Sequence, residues 1–148
     1  MSEPMTVYCT GSAFPDIALL AAQHSDWHIL SSDVASLLVT TPFGSLQINA
    51  LHPEVGGKFG FIYGGTLTRI KRIPTPDIGR RASLLEAVRS TNMVLAVIAD
   101  PRYGEAPDDR FPFVFELARH LDGVVFDGFT FLDQHGSVVL TLEGETKL

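Results

Sequence analysis

The chain has 148 residues and a formal net charge of −6, with 45% hydrophobic and 19% charged residues. This balance fits one globular domain and excludes a disordered chain. It disfavours non-specific nucleic-acid binding. The longest apolar runs, 17–22 and 93–99, are too short to span a bilayer, and a single cysteine, Cys9, excludes an internal disulfide.

The first residues, MSEPMTVYCT, lack a basic region followed by an apolar core and do not read as a signal peptide. The expectation is a soluble cytoplasmic protein in a reducing compartment. Residues 6–10 read as a buried strand. Ile17, Leu20, Ala21 and His24 then fall at i, i+3, i+4 and i+7, the spacing of a helix, with Pro15 suited to its first turn. WHIL and SLLVTT are strand candidates, and TPFG is a turn. In SLQINAL, Leu46, Ile48 and Ala50 alternate with Ser45, Gln47 and Asn49, as in a half-buried strand.

Residues 52–91 form a connector. Its start, His52–Gly65, reads HPEVGGKFGFIYGG, and its glycines predict a loop or glycine-kinked hairpin, with extended structure at KFGFIY or TLTRIKRI. After it, 82–91 reads as a helix with Leu84, Leu85 and Val88 on one face. MVLAVIA reads as a central strand, and FPFVFELARHL as a helix burying Phe113, Leu117 and His120 or Leu121. GVVFDG, FTFL and SVVLTLE close the chain as strands.

Laid over each other, AAQHSDWHIL and LARHLDGVVF share a helix ending in His-x-Asp, and PFGSLQI and DQHGSVVL share a Gly-Ser. The expected fold is α+β, one domain over 1–148. It is built from two βαββ(β)-like units at about 5–51 and 92–143, joined by the glycine-rich connector and a helix as a pseudo-symmetric duplication. Neither unit alone is large enough to bury a stable core.

Chemistry is harder to find. A phosphate-binding Walker loop needs G-x-x-x-x-G-K-[ST]. Here Gly57-Lys58 is preceded at the first glycine position by His52 and followed by Phe59, and the glycines at 60, 64 and 65 argue against a following helix. Cys9 before a helix start could carry a lowered pKa, but a lone strand cysteine reads first as core. His24/Asp26 and His120/Asp122 suit a metal only if symmetry joins them. Histidine at a helix C-terminus and aspartate opening a turn account for them structurally. His28, His52 and His135 have no ligand spacing. Asp100, Glu105, Asp108 and Asp109 crowd a polar loop that reads as solvated. No metal and no cofactor is expected.

Charge is the sharper signal. Lys58, Arg69, Lys71, Arg72, Arg80 and Arg81 lie within 58–81 beside one acid, Asp77, while the rest of the chain carries 5 basic and 16 acidic residues. These six are the candidate ligand- or partner-binding residues.

Ala118, Leu121, Gly123, Phe126, Asp127 and Gly128, followed by Asp133 and Gly136, form a helix-to-strand passage and a D-x-x-G turn. This passage resembles one in bacterial families of uncharacterised domains, some found near toxin–immunity systems. The resemblance spans about 25 residues, implies a binding role and carries over no site residues. The combined expectation is a bacterial protein-binding or regulatory module, of immunity type in one version, more a binder than an enzyme. It has a protein partner and no membrane, and an exposed sheet could pair with a second copy as a homodimer. The alternative is a small-ligand-binding domain or enzyme with 52–65 as a mobile lid.

Overall fold

The structure is a computed structural model and describes residues 5–11, 28–32, 36–41, 44–53, 58–99 and 111–143. Its strands are β1 (Met5–Cys9), β2 (His28–Ser32), β3 (Ser36–Thr41), β4 (Gly44–Leu51), β5 (Met93–Ala99), β6 (Gly123–Phe126), β7 (Thr130–Leu132) and β8 (Val138–Thr141). Its helices are α1 (Lys58–Lys71), α2 (Ile78–Arg89) and α3 (Phe111–Leu121). The fold is α+β. The eight strands form one sheet in the order β2-β3-β4-β5-β1-β6-β7-β8, antiparallel throughout. The helix expected near Ile17–His24, and with it the His24/Asp26 pair and the acidic loop 100–109, lies outside the described residues.

The apolar alternation of the strands decides the layering, because a pleated strand sends successive side chains to opposite faces. Val7, Leu37, Val39, Leu46, Ile48, Leu95 and Val97 bury one face, and Val114, Leu117, Ala118 and Leu121 of α3 pack on it. His120, proposed as a buried alternative to Leu121, is exposed. On the opposite face Tyr8, Val94, Phe126, Phe131 and Leu140 meet Ile70 and Ile73 at the end of α1 and Leu84 and Val88 of α2. Phe126 and Phe131 stack there with ring centroids 4.3 Å apart.

The two halves place their first strands, β1 and β5, side by side at the centre. Beyond that they enter the sheet differently. β4 flanks β5, whereas β6 flanks β1 and β8 forms the far edge.

The connector corrects the loop reading. Residues 58–71 are a helix, including Gly60, Gly64 and Gly65. Neither KFGFIY nor TLTRIKRI is extended. Ile62, Tyr63, Thr66, Leu67 and Ile70 recur at helical spacing and make one inward stripe that the sheet and α2 cover. Each glycine costs about 1 kcal/mol against alanine in a helix, and burial of that stripe outweighs the cost. Tyr8 at the sheet centre reinforces it with a buried 2.6 Å hydrogen bond between its hydroxyl and Thr66 Oγ1. Tyr63 Oη donates to the Arg89 carbonyl at 3.0 Å and ties α1 to the end of α2.

Candidate functional site

Five of the six basic candidates gather at one corner, and the connection between α1 and α2 explains how. The last turn of α1 tightens, with Arg72 N donating to Arg69 O and Ile73 N to Ile70 O, both at 3.1 Å. Pro74 and Pro76 prevent the helix from continuing. Asp77 then caps α2: its Oδ1 accepts from Arg80 N at 2.9 Å. Arg69 and Lys71 thus sit in the last turn of α1, Arg72 follows directly, and Arg80 and Arg81 lie in the first turns of α2. Lys58 stands apart, as the first residue of α1, at the other end of a 14-residue helix.

The five corner residues do different work. Arg81 Nη1 donates to the Ile73 carbonyl at 2.9 Å and holds the connection shut. Arg80 Nε lies 3.5 Å from Asp77 Oδ2, so its charge is partly met within its own turn. Arg69, Lys71 and Arg72 are exposed and form no ion pair among the described residues. Cations at a helix C-terminus also complement its dipole, which accounts for Arg69 and Lys71 locally. Burial raises the Tyr8 phenol above its ordinary pKa, while the Thr66 hydrogen bond and the Arg69 charge pull it back.

A second feature lies where α2 and α3 end. Thr10, Ser90, Asp122, Gly123, Asp133 and Gln134 contribute to a cleft of about 350 Å³. Most of its polar groups hold the chain together. Thr10 N and Gly11 N donate to the carbonyls of Asp122 and Leu121 at 3.3 and 3.1 Å. Thr10 Oγ1 lies 3.1 Å from the Asp122 carbonyl and 3.3 Å from its Oδ2. Ser90 Oγ donates to the Glu86 carbonyl at 3.1 Å. Asp133 Oδ1 accepts from His135 N and Ser137 N at 2.9 and 3.0 Å.

Sequence reading did not single out this cleft, although HLDG held a sign of it. Asp122 takes a left-handed φ of 50° directly after α3, and Gly123 follows where a Cβ would stand 2.9 Å from Val7 Cγ1 and 3.1 Å from the Tyr8 carbonyl.

The passage that carried the resemblance is structural in the same way. Asp127 Oδ1 accepts from Phe129 N and Thr130 N at 2.9 and 2.7 Å. Gly128 and Gly136 take φ values of 107° and 86°, which favour glycine. Both aspartates therefore shape turns.

Cys9 is fully buried, its thiol 3.6 Å from the Val7 carbonyl, and burial pushes its pKa up to about 12. That is the opposite of an activated thiolate. His120 and Asp122 are both exposed, and no three of His, Cys, Asp and Glu converge as metal ligands among the described residues. No helix among the described residues is long and apolar enough to cross a membrane. No family model, curated protein or solved structure matches the chain.

Proposed function

We propose that this protein is a bacterial, cytoplasmic protein-binding or regulatory module, and that the corner between α1 and α2 captures an acidic segment of its partner. The observation that carries this reading is the set Arg69, Lys71 and Arg72, exposed and without ion pairs among the described residues, on a chain of net charge −6. A basic patch on an acidic molecule selects partners by charge, because the rest of the surface repels what the patch attracts. An immunity-type role is one version of this reading and rests on the resemblance of residues 118–136. Lys58 belongs to the set by sequence, and its place at the opposite end of α1 makes it peripheral to the corner.

The test is capture by immobilised protein, read beside binding of a labelled poly-glutamate peptide. Reversal of Arg69, Lys71 and Arg72 to glutamate should abolish peptide binding and remove the captured partner. Raised salt should do the same to the unaltered protein, since exposed charges are screened over about 10 Å at 0.1 M ionic strength. Capture that survives the triple reversal overturns the reading.

The cleft of about 350 Å³ favours a second reading, a small-ligand-binding domain. Residues 58–65 are the first turns of a packed helix, so this reading draws on the cleft and not on that segment as a lid. Native mass spectrometry of freshly purified protein tests it: a retained small molecule supports it, and a clean mass with partner capture favours the first.

A further inference from the structure

The helices α1 and α2 lean on β5, β6 and β8 and leave the β3–β4 end of the same sheet face uncovered among the described residues. The register sets out what that open end presents. Its outer row runs His28, Thr40, Ser45. Its middle row runs Leu38, Gln47, Ile98, and its inner row Ser36, Asn49, Ala96. Gln47 is exposed and Ile98 is 39% exposed, although both stand in the interior of an eight-stranded sheet. The opposite face of these same strands is fully buried at Leu37, Val39, Leu46 and Ile48.

Two properties of the patch identify its occupant. First, none of its residues is Lys, Arg, Asp or Glu, on a chain in which those types make up 19%. An open antiparallel face normally meets water with charges, and depletion of charge around an apolar centre marks an interface. Here Leu38 and Ile98 flank Gln47 in the middle row, with hydroxyls and an amide on either side. Secondly, Ser, Thr, Asn and Gln side chains both donate and accept hydrogen bonds. A surface of such groups is complementary to itself, whereas a charged partner would find no countercharge on it. Edge-to-edge pairing at β2 is the less suited route, because the strand is short and bulged between Ile29 and Ser31.

We infer that this face is a homodimer interface, in which two copies pack their β3–β4 ends face to face across a twofold axis. With strands about 4.8 Å apart and same-face residues about 6.8 Å apart, the nine residues of the patch cover about 300 Å² per copy. That is well under half of the roughly 800 Å² that a standard stable interface buries on each side. The dimer is therefore weak and reversible, and independent of the basic corner.

Sedimentation velocity from about 5 µM to about 500 µM reads it directly. The unaltered protein should shift from the 16.1 kDa monomer towards twice that mass as concentration rises. Gln47→Lys and Gln47→Glu should both stay monomeric with unchanged thermal unfolding, because either sign is brought to the centre of a self-contact twice. Ser45→Lys is a second position at which the same loss is expected. Reversal of Arg69, Lys71 and Arg72 should leave the dimer intact, which separates this inference from the proposed function. A monomer at every concentration overturns it, as does a dimer that the Gln47 variants leave unchanged. Opposite effects of Gln47→Lys and Gln47→Glu would also overturn it, since they signal a charged partner surface.

Discussion

Replacing Gly60, Gly64 and Gly65 together by alanine should make the protein more stable. All three lie inside α1, and a Cβ built on any of them meets nothing within 4 Å apart from the helix's own backbone. The exchange therefore adds no steric conflict, while it removes the excess backbone freedom of the unfolded chain. At about 1 kcal/mol per position the sum is about 2–3 kcal/mol. Urea denaturation followed by circular dichroism measures it. With a slope of about 1–3 kcal/mol per molar, the midpoint should rise by about 1 M or more without a change in slope. A lower midpoint would refute the reasoning, because it would mean that a glycine is needed for a non-helical backbone or a close contact. An unchanged midpoint would mean that α1 contributes nothing to the cooperative unit.

Gly123→Ala should do the reverse and cost about 1–3 kcal/mol in the same titration, since its Cβ would meet Val7 at 2.9 Å and the Tyr8 carbonyl at 3.1 Å. Tyr8→Phe should cost about 1–2 kcal/mol by leaving Thr66 Oγ1 without its 2.6 Å partner, and Tyr8→Phe with Thr66→Val should recover part of the loss. Cys9 should resist a thiol reagent at pH 8 in the native state and react fully in urea, because it is buried with its pKa raised to about 12. The sign of the pH dependence follows from the same shift. The thiol keeps its proton longer folded than unfolded, so the contribution is complete below about pH 9 and is lost as pH rises towards 12. Cys9→Ala should flatten that alkaline fall as seen in thermal unfolding from pH 8 to pH 11.

Local pattern was enough for the strands. The alternation Leu46, Ile48, Ala50 against Ser45, Gln47, Asn49 places buried residues on one side of β4, as the structure has them. The apolar run 93–99 is a central strand because both of its faces are covered near β1, where Val94 meets α1 and α2 while Leu95 meets the other core. The helix α1 was not legible in the same way. Its glycines oppose helix formation by local propensity, and the opposing term is the burial of Ile62, Tyr63, Leu67 and Ile70 against residues as distant in sequence as Tyr8 and Phe131.

The candidate site divides along the same line. Clustering of Arg69, Lys71, Arg72, Arg80 and Arg81 between 58 and 81 is a property of the sequence and survives folding as one corner. Which of them are engaged within the corner is decided by its backbone, where the Ile73 carbonyl takes Arg81 and the capping Asp77 takes Arg80. The sequence by itself determined strand positions, the α+β class and the basic cluster, because these depend on neighbours within a few residues. Tertiary structure decided the helical state of 58–71 and the uncharged face left open at the β3–β4 end among the described residues. Each of these depends on pairing between segments far apart in the chain, whose register no local pattern encodes.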